Sequence, residues 1–127
     1  MTTATGLSIM VWSCDPQHPE RAATPFIVAQ AAAVLDLKVE MLFTAQAVLW
    51  LKTERQDDLI GFGPERLSVR HYLQTAADLG IDMRACSQAA HALDIATDSL
   101  VPQCTGMGGV AAFVERGQSP EWRTMVF

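Results

Sequence analysis

Apolar positions along the chain follow two rhythms. Leu7-Ser8-Ile9-Met10-Val11-Trp12-Ser13 is a mostly apolar run, as a strand covered on both faces should be. Val39–Phe43 and Ile81–Ala85 read as the second and third strands, Gln103-Cys104-Thr105 as a brief fourth after Pro102, and Trp122–Phe127 as a fifth. Between them the spacing turns helical. From about Glu20 or Pro25, the residues Ile27, Val28, Ala31, Ala32 and Leu35 share a face, with Thr24-Pro25 as a cap and first turn. Thr44–Leu51 reads as a short helix capped by Thr44. Pro64–Leu79 reads as a longer one, with Val69, Leu73, Ala76 and Ala77 inward and Gly80 as its stop. A helix follows Cys86, Thr97-Asp98-Ser99 starts a further turn, and Gly106–Gly109 leads into a helix over Val110–Arg116.

Two stretches break the rhythm. Cys14–Pro19 is a loop with two prolines. Lys52–Gly63 is the most polar part of the chain; it reads as a charged surface connector and is the one place where a lid is arguable.

Strands alternating with helices predict an α/β fold, a three-layer α/β/α sandwich with a mostly parallel five-stranded sheet, in one domain spanning 1–127. In such sheets, ligands gather beyond the carboxyl ends of the strands. Ser13, Cys14, Thr44, Cys86 and Gly106 are all expected at those ends.

Composition narrows the function. Half of the 127 residues are hydrophobic and 18% are charged, which describes a packed core. The formal net charge of −5 argues against nucleic acid and anionic membrane as partners. The longest apolar run, Met41–Leu51, is too short to span a bilayer, and Met1–Gly6 lacks the basic start of a signal peptide. Three cysteines in no paired spacing fit reduced thiols, so the expected location is cytoplasmic. His18, His71 and His91 have no metal-ligand spacing; no metal and no cofactor is expected. Gly106-Met107-Gly108-Gly109 is not a dinucleotide fingerprint.

The chemistry centres on Cys86. A thiol at the end of a strand and the start of a helix lies among unpaired N–H groups that favour its thiolate. Ser87 and the following turn supply further donors. Cys104, on a neighbouring strand, is a core thiol or a resolving partner if register brings it within disulfide reach. Cys14, two strands away, lines the pocket without pairing. Trp12, Trp50 and Trp122 are expected in the core or in a subunit interface.

Ser13-Cys14-Asp15-Pro16, the Ala-rich helix into Lys38-Val39-Glu40, Phe43-Thr44 with Gln46-Ala47-Val48, Gly80–Ser87, and Thr105-Gly106 before a small-residue helix carry a resemblance. In this order the chain resembles the DsrE/DsrF-like family of small sulfur-relay proteins over nearly its whole length. The resemblance implies strand order 4-3-2-1-5, homo-trimers or homo-hexamers, and a cysteine after the third strand, here Cys86, that accepts and passes sulfur as a persulfide. Ser13, Cys14, Thr44, Gln46, Ser87, Cys104 and Gly106 are then the expected substrate-binding residues. The implied partners are sulfur carriers of the TusA type and rhodanese-like or desulfurase donors. Subunits are expected to meet partly through Val48, Leu49 and Trp50. The rival readings are an oligomeric binding module with an inert Cys86, and a thiol redox protein using Cys86 and Cys104.

Overall fold

A computed structural model of the chain describes residues 3–127. Strand β1 (Gly6–Val11) leads through a 3-10 turn at Pro19–Arg21 into helix α1 (Ala23–Val34). Strand β2 (Lys38–Phe43) runs into a 3-10 segment, Ala45–Leu51. Two short strands, β3 (Leu59–Ile60) and β4 (Leu67–Ser68), pair antiparallel before helix α2 (Val69–Asp78). Strand β5 (Asp82–Cys86) then passes directly into helix α3 (Ser87–Ala92). Strand β6 (Gly106–Gly108), helix α4 (Val110–Gly117) and strand β7 (Trp122–Val126) complete the chain.

The main sheet is all parallel, in the order β6-β5-β2-β1-β7. Counting its five strands along the chain, this is the expected 4-3-2-1-5. Side chains alternate across the sheet. Ile9, Val11, Met41, Phe43, Met83 and Ala85 therefore share one face, and all are buried. Helices α1 and α2 cover it: the Phe26 ring lies 5.8 Å from Phe43 and 5.7 Å from Tyr72. On the opposite face α4 lies over β1 and β7. One face is thus covered over its three inner strands but open at β7, where Met125 is exposed, while the other is covered by α4 on one side only.

Several sequence expectations shift, each for a local reason. In α1 the buried side is Ala23, Phe26, Ala29 and Ala32, so Ile27 and Leu35 face solvent. The alanines let the helix approach the sheet closely, with Phe26 as the single large wedge. The helix expected from Pro64 begins at Val69. Ser68 is its cap, its hydroxyl accepting the His71 N–H at 3.2 Å, and the residues before it are committed to the β3–β4 pair. The polar connector is tied to the core at its centre. Gln56 is buried inside it and donates to the Trp50 and Lys52 carbonyls at 3.1 and 2.9 Å, and Ile60 is buried beside it. Val48 and Trp50 lie in the core and so cannot form a subunit surface; Leu49 packs partly buried against it.

At the start of β1 the chain accepts only glycine. A Cβ on Gly6 would lie 2.6 Å from the Trp122 ring, which crosses over that backbone. Gly6→Ala is therefore expected to destabilise the fold by about 1–3 kcal/mol through overpacking. Denaturant unfolding checks this, and the cost should shrink when Gly6→Ala is made in a Trp122→Leu background.

Candidate functional site

The junction of β5 and α3 carries Cys86. It is the last residue of the strand and also the N-cap of the helix, with φ −64° and ψ 122° and no side-chain cap hydrogen bond. The strand is shifted one residue from its apolar pattern: the Ile81 N–H closes α2 through Ala76 O at 3.0 Å, which delays the start, and pairing of Cys86 with Gly108 extends the end. Cys86 is level with Gly108 of β6 and is 1% exposed. A Cβ on Gly108 would meet Leu42 Cδ1 at 3.2 Å and Arg84 at 3.3 Å, so glycine there leaves room for those two side chains. The first-turn N–H groups of α3 follow the thiol directly, and these are the donors a helix leaves unpaired.

The other carboxyl-end residues gather around the ends of β1 and β2. Thr44 N–H bonds Val11 O at 2.9 Å, and Ser13 N–H bonds Phe127 O at 3.2 Å. Cys14 is buried, and its carbonyl accepts the Trp50 indole N–H at 2.6 Å. That bond holds the loop after β1 against the segment after β2. Burial pushes the Cys14 thiol up from its ordinary value, partly offset by a hydrogen bond with Ser13 and by the Arg21 charge. With β2 between β1 and β5, Cys14 lies about 10 Å laterally from the Cys86 strand. Thr44 is half-buried as the N-cap of Ala45–Leu51, without a side-chain cap bond. Gln46 and Ser87 are exposed.

Cys104 and Gly106 are not at this end. Cys104 N–H closes a turn on Val101 O, Thr105 N–H bonds Met83 O at 2.8 Å, and Gly106, with φ 149°, starts β6 opposite Arg84. The strand thus begins three residues later than its sequence pattern predicts. Cys104 is level with Asp82, at the amino end of the sheet, roughly 13 Å along the strand direction from Cys86. A disulfide needs Cα atoms within about 7 Å. This geometry rules out Cys104 as the resolving partner of Cys86, and with it the redox reading.

The sequence reading missed a polar cluster on the half-covered face. Glu40, in the middle of β2, accepts Ser8 Oγ–H at 3.0 Å and a forked contact from Arg116 of α4 at 3.0 and 3.3 Å. The Arg116 guanidinium also lies 4.0 Å from the Trp122 ring centroid, and the Glu40 carboxylate raises its pKa further. Beside it, Arg84 pairs with Asp82 at 2.9 Å and bonds Met107 O at 3.2 Å, and Thr105 Oγ–H bonds Asp82. A cavity of about 580 Å³ lies between α4 and these strands. The signal was present in the sequence: Ser8, Glu40, Asp82 and Arg84 are polar at alternate positions of otherwise apolar strands. Among the described residues, no three His, Cys, Asp or Glu side chains converge as a metal site requires, and no helix is long and apolar enough to cross a membrane.

Comparison with known proteins agrees with this architecture. The model of the DsrE/DsrF-like family matches residues 8–124. No curated protein matches the sequence. Among solved structures, the ychN protein from E. coli superposes with a TM-score of 0.72 at 16% identity, over 96% of this chain and 99% of that one. MTH1491 from Methanobacterium thermoautotrophicum, described as a protein of unknown function, superposes with a TM-score of 0.66 at 14% identity, over 98% and 100%. At these identities the likeness is one of fold.

The raised Cys14 thiol has a consequence for stability. Its folded pKa lies above its unfolded value of about 9, so the unfolded chain loses this proton first. The contribution is complete below pH 9 and is lost as pH rises through the folded value. Unfolding free energy should therefore fall more steeply above pH 9 in wild type than in Cys14→Ala, as read by denaturant titrations at stepped pH.

Proposed function

The chain belongs to the DsrE/DsrF-like family, and from that premise we propose that it is a sulfur carrier that accepts sulfane sulfur on Cys86 and passes it to a partner protein. The family is associated with sulfur relay. The observation that carries the reading is the place of Cys86, at a strand end that is at once a helix start. In the loading step the Cys86 thiolate attacks the outer sulfur of a donor persulfide. A new S–S bond forms at Cys86, the donor's S–S bond breaks, and the donor thiolate leaves with the electron pair and takes up a proton. With thiosulfate as donor, sulfite is the leaving group. In the passing step an acceptor thiolate attacks the outer sulfur, the S–S bond at Cys86 breaks, and Cys86 leaves as the thiolate; no external oxidant enters either step.

A buried thiol must be uncovered for this chemistry. Helix α3 spans six residues, too short to be stable without its packing on β5 and on Ala45–Leu51. Its parting is the opening that the proposal requires. Ser13, Cys14, Thr44 and the exposed Gln46 and Ser87 then surround the path to the thiol. The donors and acceptors in this reading are TusA-type carriers and rhodanese-like proteins, the setting is the cytoplasm, where the thiol stays reduced, and the assembly is a homo-trimer or homo-hexamer.

A second reading rests on the 1% exposure of Cys86: a binding module of the same fold, whose thiol is an inert core residue. Intact-mass spectrometry after thiosulfate or polysulfide treatment separates the two. The carrier reading expects adducts of one or more sulfur atoms on wild type and Cys104→Ser and none on Cys86→Ser. Adducts that persist in Cys86→Ser and vanish in Cys104→Ser would assign them to the half-exposed thiol and leave Cys86 inert.

A further inference from the structure

The cavity beside α4 takes no part in the sulfur chemistry. It exists because the sheet is wider than the helix that lies on it. Helix α4 covers β1 and β7, while β2, β5 and β6 continue past it on the same face. On that face β6 contributes only glycine, because Gly106 and Gly108 are level with Arg84 and Cys86 and alternate residues share a side. A Cβ on Gly108 would lie 3.3 Å from both Cβ and Cδ of Arg84. Glycine therefore lets the Arg84 side chain lie along the floor, toward Asp82 and the Met107 carbonyl. The resulting space, about 580 Å³, has the size of a small-molecule site.

Its lining combines an apolar surface with a charged one. Leu42, Met107, Ala112 and Phe113 supply the first, and the Glu40–Arg116 and Asp82–Arg84 pairs supply the second. Every oxygen of the two paired carboxylates already has a donor: Glu40 accepts from Ser8 and twice from Arg116, and Asp82 accepts from Thr105 and from Arg84. The guanidiniums have donors left over. Arg84 spends Nε on Asp82 and Nη1 on Met107 O, and its Nη2 has no partner among the described residues. Arg116 spends Nε and Nη2 on Glu40, and its Nη1 likewise has none. Arg84 is the more open of the two, with 46% of its side chain exposed. The site is thus saturated in acceptors and short of them for its donors.

We propose that this cavity binds a small monocarboxylate with an apolar body, the carboxylate accepting from the free Nη2 of Arg84 and the body resting on Leu42, Ala112 and Phe113. Leu42 and Arg84 both border the empty Cβ position of Gly108, so the apolar surface begins beside the charged group. A planar carboxylate matches the flat donor array of a guanidinium better than a point charge does. The remaining charges set the valence of the ligand. Glu40, Asp82 and Glu115 all line the space, so a dianion such as a phosphate monoester stands against three carboxylates and two guanidiniums. A cation finds no free carboxylate oxygen on the sheet, only the exposed Glu115 of α4. A single negative charge on an apolar frame satisfies both surfaces.

The site stands apart from the sulfur-carrier reading. Cys86 does not line the cavity, so occupancy needs no thiol. Binding is expected to survive Cys86→Ser, and the outcome at either site leaves the other reading where it was.

Amide NMR of the full chain, titrated with one ring system carrying four different groups, reads the charge preference directly. The probes are naphthoate, naphthalenemethanol, naphthylmethylamine and naphthyl phosphate. Naphthoate should shift the amides of Leu42, Gly108, Gly109 and Phe113 with a dissociation constant of about 1 mM or tighter. The alcohol should bind roughly tenfold more weakly, as expected for the loss of a charged hydrogen bond, and the amine and phosphate should also fall below naphthoate. Arg84→Gln should bring naphthoate down to the affinity of the alcohol and leave the alcohol unchanged. No shifts at the cavity, binding by any other probe as tight as naphthoate, or a carboxylate preference that Arg84→Gln leaves intact would each overturn the proposal. If Arg84→Gln does not fold, Ala112→Trp decides. Ala112 is exposed on α4 and lines the cavity, so an indole there fills the space without touching either ion pair. Loss of naphthoate binding in Ala112→Trp supports the site, and unchanged affinity overturns it.

Discussion

Glu40 is a charged side chain in the middle of a parallel sheet, and the half of the molecule beyond that sheet is arranged to answer it. A carboxylate in such a place is costly unless its charge and its lone pairs are met. Arg116 meets the charge with two contacts, Ser8 supplies a hydroxyl, and Trp122 stacks on the guanidinium that does the pairing. No residue of helix α4 is fully buried; this fork, together with Phe113 packing partly buried against the core, sets where the helix lies. Through Trp122 the same contact fixes the start of β7 against Gly6. The ion pair thereby joins a helix, an edge strand and one wall of the cavity, alongside the Phe113 packing and the ladder between β1 and β7.

The opposite face follows ordinary packing. Phe26, Phe43, Met41 and Met83 fill the space under α1 and α2, and the short side chains of α1 bring the helix close. At the carboxyl ends of the strands this core closes over Cys86 and Cys14, and Trp50 ties the two neighbouring loops together through Cys14 O. The thiol on which sulfur transfer is proposed is consequently held by packing. Its chemistry depends on how readily the six-residue α3 parts from the Ala45–Leu51 segment.

Much of this was legible in the sequence. Apolar runs marked the three inner strands, Gly80 ended α2, and Cys86 was placed at a strand–helix junction. The fourth strand was displaced because the two glycines of Gly106-Met107-Gly108 read as a turn, whereas Cys104-Thr105 suits a strand, and only the tertiary pairing with β5 selects the former. That displacement alone moved Cys104 and Gly106 to the wrong end of the sheet. The inward face of α1 was misjudged in part: Ala32 is buried as expected, but Ile27 and Leu35 were preferred to Ala29 by size, although close approach to a sheet favours small residues. The Glu40–Arg116 pair joins residues far apart in the chain, and sequence spacing carries no sign of it. The polar alternation of Ser8, Glu40, Asp82 and Arg84 was readable and pointed to a face that apolar helices do not cover.

The most direct test of the proposed carrier is the route by which Cys86 becomes reachable. Its alkylation rate can be followed by peptide mass spectrometry at urea concentrations below the unfolding transition, beside the global stability measured under the same conditions. Local parting of α3 exposes little surface, so the account predicts labelling that is nearly independent of urea at low concentration and well above the rate set by global unfolding. Labelling that rises with urea at the full slope of global unfolding would mean that Cys86 is reached only in the unfolded chain, and would contradict its role as a sulfur carrier.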